Sequence, residues 1–292
     1  MKVALAGASS GVGRHIAESI LKDGRHPLII LSRHEISHFA QQRVRVAIVS
    51  YDDHQSLTAA LDGVHTVISA IGDHSKSGAA QLALVHAATA AKVTRFIPSG
   101  WSGTDGGQED VIQLYRFKQP ALAALQASGM QWAHPENGIF LNYLATPTKG
   151  VGYLKPLKFW IDVENCNAVI PGDGNLKLSY TAVEDVADFV AKLIDVEEPL
   201  PNPLRIAGSI VTHNELVMMA EKVQGKPFTV TYKSEQDLKG SIVKNPPSPM
   251  VNMATNLSLA LLDGRFSFDT SPVNVNMTFV NPEAFLEKWW RA

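Results

Sequence analysis

The first 135 residues alternate short apolar runs with longer segments in which apolar residues recur at helical spacing. The apolar runs predict six strands, at residues 2–6, 27–32, 43–49, 64–71, 94–98 and 130–135. The segments between them that predict helices are 12–23, 55–61, 77–91 and 109–128. Strands that alternate with helices in this way predict an α/β fold, with a doubly wound parallel sheet covered by helices on both faces. Because parallel strands need right-handed crossovers, we expect the chain to wind outward from the first strand in both directions.

The pattern changes after residue 140. Turn-forming residues become frequent, in the Pro-Gly-Asp-Gly sequence at 171–174 and in the Asn-Pro-Pro-Ser-Pro sequence at 245–249. Helices are predicted at 183–195, 213–224 and 283–290, whereas few strands are expected. We therefore expect residues 1–140 to form one domain, and residues 141–292 to form a smaller lobe over the carboxyl edge of its sheet. Some segments of this lobe are expected to return to the first domain.

Three glycines lie between the first predicted strand and the first predicted helix, in the sequence Gly-Ala-Ser-Ser-Gly-Val-Gly at 7–13. At the start of a helix the peptide N–H groups have no partner within the helix, and the helix dipole adds partial positive charge. A pyrophosphate fits such a site, and side chains would block its approach. We interpret Gly7 as the residue of the tight turn, Gly11 as the point where phosphate approaches, and Gly13 as the contact between helix and strand. The alternative is a flexible turn with no ligand.

The end of the second strand indicates which dinucleotide is bound. A site for NAD usually has an acidic residue there, which accepts a hydrogen bond from the ribose 2′-hydroxyl. This chain has Ser32, Arg33 and His34 instead. A guanidinium forms paired hydrogen bonds with a 2′-phosphate, which a carboxylate would repel. The sequence therefore predicts NADP(H), with a solvated surface arginine as the alternative interpretation of Arg33.

Composition excludes several other functions. The formal net charge is -2, and no run of Lys or Arg is present, which argues against nucleic acid or an anionic membrane as a partner. No apolar stretch approaches the roughly 18 residues needed to cross a bilayer. The single cysteine, Cys166, cannot form an internal disulfide, and we expect a cytoplasmic protein. No metal site is expected, because His-x-x-x-His and paired-Cys spacings are missing.

Four blocks of sequence resemble the NmrA-like and isoflavone-reductase-like group of atypical short-chain dehydrogenases/reductases. These blocks are the glycine-rich turn at 7–13, Arg-Phe-Ile-Pro-Ser-Gly-Trp at 95–101, and the longer segments at 117–132 and 175–194. The resemblance implies a Rossmann domain with a small carboxyl-terminal substrate lobe. It also implies an NADP-dependent oxidoreductase.

The chain departs from the group at two places, and from the mainstream short-chain dehydrogenases at a third. Ser10 stands where relatives usually have the middle glycine of Gly-x-x-Gly-x-x-Gly, and Gly11 follows it. The Tyr-x-x-x-Lys pair of the mainstream short-chain dehydrogenases is missing, because Lys118 follows Tyr115 by three residues rather than four. The reductases have Pro-Ser-Glu-Phe-Gly after the fifth strand, whereas this chain has Pro-Ser-Gly-Trp-Ser at 98–102.

The resemblance also places the catalytic lysine of these reductases on Lys118. An ammonium group there would donate to a developing oxyanion, or exchange a proton with the substrate. The alternative is a helix-surface lysine whose head is in water.

The predicted sites extend over both halves of the chain. The predicted cofactor-binding residues are Gly7, Ser9, Ser10, Gly11, Val12, Gly13, Ser32, Arg33, Ala70, Ile71, Ser99, Lys118 and Asn137. The predicted substrate-binding residues are Trp101, His134, Phe140, Tyr143 and Trp160. For His134 a hydrogen-bonded structural role is the alternative. Asp185 and Asp188, on one face of a predicted helix, are interpreted as capping or surface groups.

The leading hypothesis is an NADPH-dependent reductase of a small, aromatic or heterocyclic molecule. The second is a dinucleotide-binding redox sensor without catalysis, for which Lys118 would be dispensable and the cleft narrow or blocked. The third is an enzyme that holds the dinucleotide but catalyses a rearrangement or cyclisation without net redox change. The sequence does not identify the substrate or the oligomeric state.

Overall fold

The computed structural model describes residues 1–72, 78–103 and 113–291. Its central sheet has six parallel strands in the order β3-β2-β1-β4-β5-β6. The strands are β1 (Val3–Ala6), β2 (Leu28–Ser32), β3 (Arg45–Ile48), β4 (Thr66–Ser69), β5 (Arg95–Ile97) and β6 (Gln131–Trp132). This order, in which the chain starts at the centre and winds outward both ways, is that of the doubly wound Rossmann fold. The predicted fold class is confirmed.

Within the described residues, five α-helices connect these strands and cover both faces of the sheet. They are α1 (Gly11–Asp23), α2 (Ser37–Gln41), α3 (His54–Ala60), α4 (Ala79–Ala90) and α5 (Gln119–Ser128). Alternate strand residues face opposite sides of the sheet. Val3 and Leu5 of β1 pack in the core that contains α1, whereas Ala4 and Ala6 pack in the core that contains α3, α4 and α5.

The segment before α5 differs from the prediction of one helix over 109–128. Residues 113–118 form a 3₁₀ helix, and α5 begins only at Gln119. Pro120 lies in the first turn of α5, where its missing N–H is tolerated, and its ring disfavours α-helix upstream. Residues 109–112 lie outside the described part of the chain.

The later residues form short strands and five further helices. The strands are β7 (Pro135–Glu136), β8 (Ile139–Phe140), β9 (Ile161–Asp162), β10 (Asn167–Pro171), β11 (Leu178–Thr181), β12 (Leu204–Arg205), β13 (Ser209–Val211) and β14 (Thr229–Lys233). The helices are α6 (Val183–Leu193), α7 (His213–Gln224), α8 (Glu235–Gly240), α9 (Met253–Leu262) and α10 (Pro282–Trp290). The expectation of few strands was wrong, because strands of two to five residues are too short to leave a recognisable pattern.

These strands form three small sheets, in the orders β14-β10-β9, β13-β11-β8 and β12-β7. A separate apolar core holds strand residues such as Ile170 and Tyr180 against Leu216 of α7, Leu261 of α9 and Phe285 of α10. This core lies in the part of the chain predicted to form the smaller lobe, and the division at residue 140 stays a prediction.

Helix α6 returns to the central sheet and packs against α1. Ser19 of α1 donates a hydrogen bond to Asp188 of α6 over 2.5 Å. Arg95 of β5 is buried, and its guanidinium donates to the carbonyls of Leu193 and Val196 at the carboxyl end of α6. A cation at that end of a helix satisfies carbonyl groups that have no partner within the helix, so Arg95 fixes α6 against the sheet.

Within the described residues, no helix is both long and apolar enough to cross a membrane.

Candidate active site

A cleft of about 1230 Å³ lies at the carboxyl edge of the central sheet. Its lining includes the residues that directly follow each of the first five strands: 7–12, 32–36, 49–52, 70–72, and 99 with 101–102. Ligands of doubly wound sheets bind at this edge, where the strand order reverses. Most of the remaining lining comes from the 3₁₀ helix at 113–118, from residues 138–160 and from α9, with Leu31, Ala80 and Phe266 in addition.

The glycine-rich turn is shaped by contacts between backbones. Gly7 has φ +87°, and a Cβ there would lie 2.5 Å from the Ala70 carbonyl oxygen. A Cβ on Gly13 would lie 2.3 Å from the carbonyl oxygen of Gly7. Real Cβ atoms do not approach backbone so closely, so both positions require glycine to bring α1, β1 and the end of β4 together. Gly13 does not line the cleft, in keeping with its predicted role in packing the helix on the strand.

Gly11 has different surroundings. Its φ is +59°, and a Cβ there would have no protein atom within 4 Å. Gly11 lines the cleft, as do its neighbours Ser9, Ser10 and Val12. A side chain at Gly11 would therefore project into the space beside the helix start, which fits a phosphate group held against bare backbone.

One expectation about this turn is corrected by the structure. The N–H of Gly11 does not point outward without a partner, because it donates to the carbonyl of Tyr153 over 2.9 Å. The N–H of Tyr153 in turn donates to His15 Nε2 over 3.0 Å, and the Arg14 guanidinium lies 3.9 Å from the Tyr153 ring centroid. Burial lowers the pKa of His15, in keeping with a neutral ring that accepts at Nε2. The segment around Tyr153 is thus attached to the start of α1.

The turn after β2 presents Arg33. The side chain of Arg33 is exposed and lines the cleft, as predicted for a residue beside the adenosine ribose. The Ser32 hydroxyl donates to the His34 carbonyl over 2.6 Å and accepts from the His34 N–H over 3.2 Å. Ser32 therefore holds the turn that carries Arg33, rather than offering a free donor.

Three further predicted cofactor residues line the middle of the cleft. Ala70 and Ile71 follow β4. Gly7 packs against the backbone of Ala70, and Gly13 packs against its Cβ. Ser99 follows β5, where its N–H donates to Gln81 Oε1 over 2.7 Å. These residues form the floor of the cleft between the glycine-rich turn and Lys118.

Lys118 is a cleft residue and not a surface lysine. Its side chain is 5% exposed, and it lines the cleft from the end of the 3₁₀ helix. The ammonium donates to the Gly100 carbonyl over 3.4 Å and lies 4.1 Å from the Tyr115 ring centroid. The structure therefore excludes the solvated interpretation and leaves a cation in the wall of the cleft.

Aromatic side chains form one wall of the same cleft. Tyr143 packs edge-on against Phe140 and Phe159, with ring centroids 6.1 Å and 5.0 Å away, and Phe159 lies 5.3 Å from Trp160. Burial, and secondarily Tyr115, raise the pKa of Tyr143 to about 12, so its phenol stays protonated. Trp101 also lines the cleft, and its indole N–H donates to the Ser69 carbonyl over 2.9 Å.

Besides Gly13, two predicted site residues do not line the cleft. His134 is 5% exposed and lies behind Gly100, where a Cβ on Gly100 would come within 2.6 Å of its ring. Asn137 is fully buried, and its backbone carbonyl accepts from the Thr181 hydroxyl. Both residues lie in the layer beneath the lining, so the cleft does not support the predictions that His134 binds substrate and Asn137 binds cofactor, which stay untested.

Several lining residues were not predicted. Tyr51 follows β3, and its position after a strand was a usable signal. Met253 and Leu257, spaced by one helical turn on α9, and Phe266 complete the apolar side of the cleft. Ser102 lines the cleft beside Tyr115, and its hydroxyl is in hydrogen-bond contact with the Tyr115 hydroxyl. Tyr115 had been considered only as half of an incomplete motif.

The NmrA-like family model matches residues 1–271 of this chain. Phenylcoumaran benzylic ether reductase PT1 from Pinus taeda is 25% identical over 300 residues, which cover 97% of this chain and 94% of the relative. Pinoresinol reductase 1 from Arabidopsis thaliana is 30% identical over 266 residues, which cover 82% of this chain and 80% of the relative. The solved structure of AtPrR2 with NADP+ and (+)pinoresinol superposes with a TM-score of 0.78 at 22% identity, covering 99% and 98% of the two chains.

The chain therefore belongs to the NmrA-like family, and the predicted family is confirmed. The named relatives are reductases, so the predicted class, an oxidoreductase, is confirmed at the level of the family. The solved neighbour holds NADP+, which is the cofactor predicted from Arg33.

Proposed function

We propose that this protein is an NADPH-dependent reductase of a small aromatic or heterocyclic molecule. One cleft supports this proposal, because the glycine-rich turn, Arg33, the buried Lys118 and an aromatic wall all line it. A cleft of about 1230 Å³ exceeds the roughly 300–1,000 Å³ of an ordinary small-molecule pocket. Its size accommodates a dinucleotide together with a second molecule.

The residues of the cleft fit NADPH. The bare backbone at Gly11 would take the pyrophosphate, and the remaining cleft N–H groups at the start of α1 would donate to it. Arg33 would pair with the 2′-phosphate at the end of β2. When bound, NADPH supplies the hydride, and the protein supplies orientation and electrostatics.

Lys118 would act at the reacting end of the cleft. Its charge is held in a mostly desolvated wall, where an ion interacts more strongly with a nearby charge than it does in water. A fixed cation stabilises a developing oxyanion more than it stabilises the neutral substrate, which lowers the barrier to reduction.

The substrate class follows from the aromatic wall and from the relatives. Phe140, Tyr143, Phe159 and Trp160 offer flat apolar surface, and such surface suits a ring system. The relatives named above are reductases of a phenylcoumaran benzylic ether and of pinoresinol. We therefore propose an aromatic substrate for this chain, without naming a particular compound. The predicted cytoplasmic location is compatible with this role and stays a prediction.

The open cleft favours an enzyme over a redox sensor. A sensor would need neither space for a second molecule beside the dinucleotide nor a buried cation next to that space. This cleft has the space, and Lys118 is the buried cation. An enzyme without net redox change would have the same features, and isotope transfer distinguishes it from a reductase.

The test is deuteride transfer. The protein is incubated with NADPH deuterated at C4, on each face in turn, and with a panel of aromatic ethers, ketones and enones. The proposal expects NADP+ to form in step with product for both labelled cofactors, and the product to carry one deuterium with one of them, which identifies the face that is transferred. Conversion of a substrate with neither NADP+ formation nor deuterium in the product would contradict the proposal and support the non-redox hypothesis.

A further inference from the structure

Residues 152–155, which we term the strap, lie against the start of α1. The Tyr153 carbonyl accepts from the Gly11 N–H over 2.9 Å, and the Tyr153 N–H donates to His15 Nε2 over 3.0 Å. The rings of Tyr153 and His15 also pack together, with centroids 4.7 Å apart. Leu154, the next residue, is buried in the core that contains α1. Backbone and side-chain contacts therefore fix the strap beside the glycine-rich turn.

The N-terminal end of the strap is fixed as well. Gly152 has φ +61°, and a Cβ there would lie 2.6 Å from His15 Nε2, so glycine lets the backbone come this close to the ring. Two residues earlier, the Gly150 carbonyl accepts from Asn142 Nδ2 over 2.8 Å. Asn142 is fully buried, and its Oδ1 accepts from the Val183 N–H of α6 over 2.7 Å. The strap is thus joined to both α1 and α6.

The strap takes one donor from the glycine-rich turn and brings a cation to the cleft. Because the Gly11 N–H donates to Tyr153, it is not free for a phosphate. Lys155 lines the cleft, and its side chain is exposed. The Cα atoms of Tyr153 and Lys155 are at most about 7 Å apart, because two residues of chain reach no further. Within the described residues no carboxylate pairs with Lys155, whereas the nearby Lys158 is held by two.

Two other Lys or Arg side chains line the described part of the cleft, and both have other proposed roles. Arg33 would pair with the 2′-phosphate, and Lys118 would act where the substrate is reduced. The pyrophosphate lies between these two parts of the NADPH molecule and carries negative charge on both of its phosphates. Lysine binds phosphate groups as a point charge. Lys155 is therefore the cation that remains for the pyrophosphate.

We propose that Lys155 binds the pyrophosphate of NADPH from the strap, and that His15 is the positioning residue that holds the strap against the glycine-rich turn. This inference rests on the dinucleotide site proposed above and adds a residue to it. The charge of Lys155 would offset the donor that Gly11 gives to the strap. Because NADH has the same pyrophosphate, Lys155 would serve both dinucleotides, whereas Arg33 would serve NADPH alone.

The protonation state of His15 decides whether it holds the strap. Nε2 accepts from the Tyr153 N–H only while it carries no proton. Burial lowers the pKa of His15 below its usual 6.5, and Arg14 of α1 lowers it further. Glu18 of α1 and Glu184 of α6 act in the opposite direction, with smaller effect than burial. The ring is therefore neutral above pH 7, and it loses its contact with the strap when acid protonates Nε2.

The first experiment compares Lys155→Ala with Lys149→Ala, a matched control. Lys149 is an exposed lysine shortly before the strap and outside the cleft lining. In fluorescence titrations, Lys155→Ala should lose roughly tenfold in affinity for NADPH and for NADH alike, the scale of one charge-assisted hydrogen bond. Lys149→Ala should match the parent protein with both dinucleotides.

Two results of these titrations would overturn the inference. A loss confined to NADPH would place Lys155 at the 2′-phosphate, and unchanged affinity for both dinucleotides would show that Lys155 binds neither phosphate group. The reductase function would stand in both cases, because deuteride transfer tests it independently. Failure of the parent protein to bind either dinucleotide would refute the proposed function itself, together with this inference.

The second experiment follows NADP+ binding across pH by calorimetric titration, in the parent protein and in His15→Gln. Glutamine keeps an oxygen that accepts from the Tyr153 N–H, and it does not titrate. Between pH 7.5 and pH 5 the parent should lose at least about threefold more affinity than the variant, because only the parent gains a proton that removes the acceptor. Ionisation of the 2′-phosphate affects both proteins equally and cancels in the comparison. Parallel pH profiles would overturn the role of His15 in positioning the strap.

Discussion

Among single residues, the proposed function depends most on Lys118 and Arg33. Lysine is seldom buried, yet Lys118 is 5% exposed in the wall of a cleft. Arg33 is exposed, as arginines usually are. It matters because it follows β2, where an NAD site usually has an acidic residue. Substitution of each residue tests its proposed role.

Replacing Arg33 by Ala should weaken NADPH binding by about 1–3 kcal/mol, the scale of a hydrogen bond to a charged group, and leave NADH binding nearly unchanged. Arg45→Ala is the matched control, because Arg45 is an exposed arginine at the opposite end of β3 and outside the cleft lining. Fluorescence titration with both cofactors measures the effect. An equal loss of NADH and NADPH affinity would show that Arg33 does not contact the 2′-phosphate.

Replacing Lys118 by Ala should lower turnover by roughly 100-fold or more, with little change in NADPH affinity, because the charge acts mainly in the transition state. Lys118→Arg keeps the charge but changes its geometry, so it should recover only part of the rate. Steady-state kinetics on the substrate found by deuteride transfer tests both variants. Unchanged turnover in Lys118→Ala would remove the lysine from the mechanism.

The sequence was most informative about residues at strand ends. Gly7, Arg33 and Ser99 could be placed because each directly follows an apolar run, and carboxyl ends of parallel strands meet at one edge. His134 and Asn137 satisfy the same rule and still lie behind the lining, since the rule gives the edge but not the depth. The contact between Tyr115 and Ser102 could not be predicted from the sequence, because the two residues are 13 positions apart.

Among the elements, the glycine-rich turn joins β1 to α1 through backbone contacts so close that a side chain at Gly7 or Gly13 would clash. Gly7 and Gly13 are required by the fold, whereas Gly11 has no protein atom near its absent side chain. The three glycines look alike in sequence. The structure separates Gly7 and Gly13, which the fold requires, from Gly11, for which we propose a ligand-binding role.

Gly11→Ala should therefore abolish or strongly weaken NADPH binding while the protein stays folded. Gly129→Ala is a matched control, because Gly129 at the end of α5 also has a positive φ, of +72°, and open space around its absent Cβ. Each variant should lose about 1 kcal/mol of stability from the left-handed backbone. Only Gly11→Ala should lose NADPH in calorimetric titration. Equal NADPH affinity in the two variants would mean that no phosphate lies against Gly11.

The strands of the central sheet could be predicted from the sequence, whereas many strands and helices after residue 135 could not. Helix α7 was predicted with its observed bounds, since it has a full amphipathic period and a Thr212–Glu215 capping box at its start. Helix α9, which lines the cleft, is apolar around most of its surface and gave no periodic signal. The strands after residue 135 depend on partners far away in the chain, such as Thr229 for Asn167, and local pattern does not reveal such pairs.

At the scale of the whole molecule, Asp185 connects the returning helix α6 to the carboxyl-terminal segment. Asp185 was interpreted as a capping or surface group, but it is 6% exposed and accepts from the N–H of Val280 over 2.8 Å. Burial raises its pKa from 3.8 to about 6, so the folded protein holds a proton more tightly than the unfolded chain does. The parent protein should therefore lose stability as the pH rises from about 4 to 6.

Asp185→Asn removes the ionisation and keeps an oxygen that accepts from Val280. The difference in unfolding free energy, variant minus parent, should rise by about 1–3 kcal/mol between pH 4 and pH 7. Denaturant titrations at several pH values measure this difference, and Asp269→Asn, at an exposed carboxylate, is the control. A constant difference across this pH range would show that Asp185 does not couple folding to protonation.

We propose that this one cleft binds NADPH in preference to NADH, with room for a second molecule beside it. Native mass spectrometry of the purified chain, with NADPH and NADH present in equal amounts, measures this preference. A complex with a single NADPH is expected as the dominant bound species, and Gly11→Ala should lose that complex whereas Gly129→Ala should keep it. Equal occupancy by both dinucleotides would refute the preference, and NADPH retained by Gly11→Ala as well as by the parent would refute the phosphate site at Gly11.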